Sequence, residues 1–190
     1  YISIYNPYEF KLLKSCIQYA YKNEVAMICA SGNLNSPHDT LMYPACFRDD
    51  WVMNIGGAKN QTSVSAYGAT PHKIDLIAPG GSPSNPFAHT TRMDGQYTDV
   101  AQTSSAAAHT SGVAALIMSF YNDSVPNLRN LAPEDVEHII EMGTYDNYYW
   151  SNNIYDIYAL GDHYETNGSK YIGWGRLNAF YSIKHIDTSI

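Results

Sequence analysis

Apolar residues along this chain fall into two patterns, short unbroken runs and helical stripes, and the two patterns alternate. Tyr1 to Tyr5 is a short β-prone opening, and Pro7 breaks it ahead of Phe10, Leu13, Ile17 and Tyr21, which recur at helical spacing. Val25 to Ala30 is an unbroken apolar run of strand length, the pattern of a strand covered on both faces in a parallel sheet. The strand-helix-strand opening predicts a βαβ unit. Ser31-Gly32-Asn33 then lies at the carboxyl end of its second strand, where open α/β sheets place their ligands. Trp51 to Ala58 reads as a strand closing on glycine, Ser65 to Gly68 as a strand and turn, and Ile74 to Gly80 as a strand end. Ser82 to Tyr97 is rich in Gly, Pro, Asn and Thr without a period, and reads as a surface loop.

The second half of the chain is more helical. From Ser104 to Phe120 nearly every side chain is small or apolar, and Val113, Ala114, Leu116, Ile117 and Phe120 cover all faces, which predicts a buried core helix. Ala132-Pro133-Glu134-Asp135 opens another helix with proline and acids in its first turn. Val136, Ile139 and Ile140 form its stripe, and Gly143 stops it. Tyr145 to Lys170, crowded with Tyr, Asn and Asp and free of repeats, reads as a surface insertion, and Phe180 to His185 as the last helix.

With 190 residues and 45% hydrophobic content, one domain with a sizeable core is expected. A formal net charge of −7 with only 11 Lys and Arg argues against a nucleic-acid or anionic-membrane surface, since neither would be attracted. No apolar stretch reaches the length of a membrane span. Cys16, Cys29 and Cys46 are odd in number and lack CxxC spacing, which disfavours a disulfide framework and a zinc site; buried free thiols are expected, with a Cys29–Cys46 pair left open.

The candidate chemistry centres on Gln102 to Gly112. Thr103, Ser104 and Ser105 occupy the first turn of the Ala-rich helix, where unpaired backbone N–H groups favour developing negative charge, so a serine there is a candidate nucleophile as well as a cap. The segment resembles the nucleophile segment of the subtilisin-like serine peptidases, the subtilases, in which Gly-Thr-Ser opens a central helix and Pro-His follows. Thr103-Ser104 and His109 match, while Gln102 stands where the family has glycine and Ala108 where it has proline. Ala30-Ser31-Gly32-Asn33 is similar to the family segment ending in the asparagine that donates to the oxyanion. Tyr43-Pro44-Ala45, Ile74 to Gly80 and Gly173 to Ala179 resemble further landmarks in the family's order.

The resemblance implies an α/β fold, a mainly parallel sheet with helices on both faces. Residues 1–190 would be the carboxyl-terminal portion of one catalytic domain lacking its amino-terminal part, with an insertion at about 144–171. It also implies a serine endopeptidase acting on polypeptides through an acyl-enzyme on Ser104, with Asn33 at the oxyanion. Tyr5, Asn6, Ala30, Ser31 and Gly32 would line the substrate cleft, with Tyr5-Asn6-Pro7 in place of the family's Ser-Leu-Gly. In subtilases the triad aspartate and histidine precede the oxyanion asparagine by many residues, and only 32 residues precede Asn33. The partner implied is therefore an amino-terminal part of the same protease domain carrying both groups, and this chain alone is expected to be inactive.

The alternative is a pseudo-protease that keeps the fold for binding, suggested by Pro7 and Gln102. An α/β-hydrolase reading needs a Gly-x-Ser-x-Gly elbow, which the sequence lacks. His72 and Asp75 invite a triad, but the matching segments put Asp75 on a sheet strand as a structural residue. His109, five residues past Ser104, falls on another face of the helix and reads as a core histidine with a satisfied ring nitrogen. No cofactor or metal is expected from the residues themselves; the family resemblance implies calcium and an extracytoplasmic location.

Overall fold

Pro7 opens the first helix, α1 (Pro7–Lys22), at the position where a missing N–H leaves no intrahelical bond unmade. The structure, a computed structural model, describes residues 7–33, 43–45, 47, 51–58, 66–67, 74–82, 85–86, 88–124, 131–144 and 173–186. Ile17 is buried and Leu13 and Tyr21 are half-buried, so the expected stripe faces inward. The helix ends in a paired C-cap: the Val25 N–H donates to the Ala20 carbonyl at 3.1 Å, the Glu24 N–H donates to the Tyr21 carbonyl at 3.0 Å, and Glu24 takes φ 61°. That cap shortens the strand that follows. β1 is only Ile28–Ala30 and half-buried, whereas a fully covered run from Val25 was expected; Val25 is spent on the turn and is exposed.

The centre of the sheet is β2 (Met53–Ala58), buried at every residue. β1 runs parallel to it with Ile28 opposite Met53, β3 (Ala66–Tyr67) pairs antiparallel with its last two residues, and β4 (Leu76–Pro79) runs parallel with Leu76 opposite Ile55. Side chains alternate across these strands. Met53, Ile55, Leu76 and Ala78 join Ala106, Val113, Ile117, Val136, Ile140 and Ile186 in the main core, while Ala58, Ile74 and Ile77 form a smaller cluster. The segment after Gly173 is laced to β4: the Trp174 N–H donates to the Asp75 carbonyl (2.8 Å), the Ile77 N–H to the Gly175 carbonyl (2.9 Å) and the Leu177 N–H to the Ile77 carbonyl (2.8 Å).

The surface loop expected from Ser82 to Tyr97 is instead two antiparallel ribbons. β5 (Gly81–Ser82) pairs with β6 (Asn85–Pro86), and β7 (Ala88–Thr91) pairs with β8 (Tyr97–Val100). The second ribbon is mostly exposed, so it carries no apolar alternation to read, and its Thr and Tyr residues supply strand propensity instead. Its turn closes with the Gly95 N–H on the Arg92 carbonyl and the Gln96 N–H on Asp94 Oδ1, both at 3.1 Å, and His89 pairs across the strands with Asp99.

The helix expected around Ser104 is α2 (Gln102–Ser124). One face of it is core, with Thr103, Ala106, Thr110 and Ile117 fully buried. The rest of its circumference departs from the expected all-round burial: Ser104, Ala108, Ser111, Gly112, Ala115 and Ser119 are exposed on the far side, and at the margins Leu116 is 53% exposed and Phe120 36%. The composition calls for cover on every side, and among the described residues it comes from one side only.

α3 (Pro133–Met142) follows its prediction closely. Asp135 Oδ2 accepts the Ala132 N–H at 3.0 Å, and Val136 and Ile140 are fully buried. Gly143 caps it, and α4 (Ala179–Ile186) passes there so close that a β-carbon on Gly143 would lie 2.4 Å from the Ser182 nitrogen. Cys16 is exposed on α1 and not buried as expected. Cys29 is half-buried and unpaired, and burial pushes its thiol up to about 11. No helix among the described residues is long and apolar enough to cross a membrane. Tyr1 to Asn6, Cys46, His72 and the Tyr145 to Lys170 segment lie outside the described residues.

Candidate active site

The carboxyl ends of β1, β2 and β4 meet the amino-terminal turn of α2, and two glycines make that approach feasible. A β-carbon on Gly80 would lie 2.9 Å from the Gln102 carbonyl oxygen and 2.9 Å from Gly57 Cα; on Gly57 it would lie 3.5 Å from the Gln102 carbonyl carbon and the Thr103 nitrogen. The main chain of the helix start is thus seated directly on the sheet end. Beyond Ala30, the Ser31 N–H donates to the Ile55 carbonyl at 2.9 Å, and Ser31 and Gly32 are buried as the chain runs beside β2. Ala30, Ser31 and Gly32 therefore reach the same rim as α2, whereas Tyr5 and Asn6 lie outside the described residues.

Asn33 is tied to the helix by its side chain. The Thr103 N–H donates to Asn33 Oδ1 at 2.9 Å, and the Thr103 hydroxyl donates to the same oxygen at 2.7 Å, with the Gly32 carbonyl as an alternative acceptor at 3.2 Å. A main-chain N–H can only donate, so this contact fixes which end of the carboxamide faces the helix. The oxygen is held by Thr103, and Nδ2, which carries two donor hydrogens, is turned away from it. Thr103 is a site residue that the sequence pattern does not single out. Its signal was a hydroxyl directly before the candidate nucleophile.

The sequence presents three successive hydroxyls, and burial separates them. Thr103 is fully buried and Ser105 is buried with no hydrogen-bond partner for its Oγ among the described residues, while Ser104 between them is exposed. As a first-turn residue Ser104 also keeps a backbone N–H with no intrahelical acceptor. An open hydroxyl, a free N–H and an oriented amide one residue away can receive a polarised carbonyl and the charge that develops on its oxygen. Among the described residues no histidine hydrogen-bonds Ser104. His109 is exposed, not in the core as expected; its ring nitrogen is satisfied, Nδ1 lying 2.8 Å from the Ser105 carbonyl and so carrying the proton.

Gln102 is the irregular residue of the site. Its φ of 75° is a left-handed conformation that glycine adopts freely and that costs another residue about 1–2 kcal/mol. Asp75 is used in the sheet: its Oδ2 accepts the Asn54 N–H at 2.6 Å and its own N–H donates to the Asn54 carbonyl at 2.9 Å. Its carboxylate also approaches those of Glu137 and Glu141, the three within 4.8 Å of one another. Calcium takes six to eight oxygens in a flexible shell that includes backbone carbonyls and water, of which these three carboxylates would supply part.

Comparison with known proteins matches the family model "Subtilase family" over residues 6–175. The major intracellular serine protease of Bacillus subtilis is 31% identical over 126 residues, 65% of this chain and 37% of that protein. Subtilisin DY of Bacillus licheniformis is 33% identical over 125 residues, 63% of this chain and 42% of that protein. The crystal structure of a lanthipeptide protease superposes with a TM-score of 0.67 at 20% identity, covering 93% of this chain and 55% of that one, and so shares the fold. The chain spans less than half the length of these two relatives and just over half of the solved structure. One relative is intracellular by name, so membership does not carry an extracytoplasmic location. A family model running through most of the chain, with relatives in both sequence and fold, makes this chain a member of the subtilase family of serine proteases.

Proposed function

We propose that this chain carries the nucleophile and oxyanion half of a serine endopeptidase site, with Ser104 forming the acyl-enzyme and a histidine and aspartate brought by polypeptide outside these 190 residues. The observation that carries the reading is the pinned carboxamide: Thr103 holds Asn33 Oδ1, which turns Nδ2 away from the helix as a donor, and the residue that follows Thr103 is the exposed Ser104. In the reaction, Ser104 Oγ attacks the peptide carbonyl as its proton passes to the incoming imidazole. Charge collects on the carbonyl oxygen, where Asn33 Nδ2 and the Ser104 N–H receive it. The imidazolium then protonates the leaving amine, and water repeats the sequence on the acyl-enzyme.

The open face of α2 supports the external source of the base. Ala108, Ser111 and Ala115 lie exposed on the same face as Ser104, Leu116 is exposed at its margin, and the chain spans only 37% and 42% of the two relatives' lengths. A segment covering that face would bring its side chains alongside Ser104. Calcium and an extracytoplasmic location belong to no step of this reading.

Fluorophosphonate labelling of the complete protein tests it. The wild type is expected to label and Ser104→Ala to stay unlabelled. Equal labelling of both removes Ser104 as nucleophile, and no labelling of either leaves the pseudo-protease, a binding module on the same fold.

A further inference from the structure

Among the described residues two that are not glycine hold positive φ, Glu24 at 61° and Gln102 at 75°. Glu24 is explained by the end of α1, where the two C-cap hydrogen bonds require a left-handed residue. Gln102 begins a helix, and no such cap accounts for it. Its main chain is what the sheet end touches, since the Gln102 atoms nearest to Gly57 and Gly80 are its carbonyl carbon and oxygen. The Gln102 side chain is half-buried, and its carboxamide makes no hydrogen bond among the described residues. The amide of Asn33 is joined to the next residue, and the exposed Ser104 follows two positions on.

A glycine at this position would remove the backbone strain without breaking a side-chain hydrogen bond. Strained residues persist where the side chain or the altered backbone direction is needed, and they gather at working sites. A primary carboxamide offers an acceptor and two donors, the groups that pair with the C=O and N–H of an extended polypeptide. We infer that Gln102 is a substrate-contacting residue, its carboxamide hydrogen-bonding the main chain of a bound polypeptide beside the bond under attack. This rests on the placement of the nucleophile at Ser104.

The test uses the full-length protein carrying Ser104→Ala, titrated with fluorescein-labelled casein and read by fluorescence anisotropy, with Gln102→Gly and Gln102→Ala each added. Both variants lose the carboxamide and are expected to raise the casein Kd about three- to tenfold, the worth of a neutral hydrogen bond. Gln102→Gly alone also relieves the φ and is expected to raise Tm by about 2–4 °C. Either variant binding casein as tightly as its parent overturns the inference, as does an unchanged Tm in Gln102→Gly or a Ser104→Ala parent that binds no casein. Failure of the peptidase reading appears elsewhere, as a wild-type protein that fluorophosphonate does not label, and leaves the binding comparison to be read on its own.

Discussion

The two faces of α2 are built from similar residues and meet opposite surroundings. On one, Thr103, Ala106, Thr110, Val113 and Ile117 are packed on the sheet; on the other, Ser104, Ala108, Ser111, Ala115 and, at its margin, Leu116 are open. The buried face fixes the rotation of the helix, and that rotation decides which of three adjacent hydroxyls is presented. Thr103 is the joint between the faces. It is fully buried, yet its N–H and hydroxyl both reach Asn33 at the rim. Stability and candidate chemistry thus divide across a single helix, and substitutions can separate them.

The largest effect is expected on the packed side. Ile117→Ala removes a fully buried side chain from the main core and should lower unfolding free energy by about 2–5 kcal/mol, measured by urea denaturation. A loss below about 1 kcal/mol would mean that this face does not anchor the helix. At the rim, Asn33→Ala should slow peptide hydrolysis by the complete protein at least a hundredfold, about 3 kcal/mol in the barrier; an unchanged rate rejects Asn33 as an oxyanion donor.

Thr103→Val keeps the shape of the joint and removes its hydroxyl. It should cost about 1 kcal/mol of stability and lower kcat more than it raises KM, because the Asn33 amide loses one of the two bonds that orient it. Equal effects on kcat and KM would show that the hydroxyl serves only the fold. The smallest effect is expected on the open side, where Leu116→Ala in this chain alone should change stability by less than about 0.5 kcal/mol. The same substitution in the complete protein should cost at least about 2 kcal/mol if another segment covers that face. Equal, small losses in both would leave the face uncovered.

Parts of this arrangement are legible from local pattern alone. Pro133, Glu134, Asp135 and the Val136–Ile140 spacing specify α3 because each acts within its own two or three turns. The apolar runs ending at Ala58 and Pro79 mark strands for the same reason, and Ser31-Gly32-Asn33 announces a turn at a strand end. The ribbon from Ala88 to Val100 escaped, since its pairing is made by main-chain bonds in an exposed stretch where no hydrophobic alternation is required. The exposure of Cys16 and His109 escaped too, because a helix pattern tells which residues share a face and not what lies against it.

The sequence by itself determined a chain of alternating strands and helices with a Thr-Ser pair opening an apolar helix and an asparagine closing a strand. Only the tertiary structure decided that Thr103 holds the asparagine oxygen, that Ser104 and not Ser105 is open, and that Gln102 takes a backbone conformation suited to glycine. Periodicity and capping are set within a few residues of chain. The seat of the α2 start is set by Gly57, Gly80 and Asn33, which the sheet brings to Gln102 and Thr103 from distant positions.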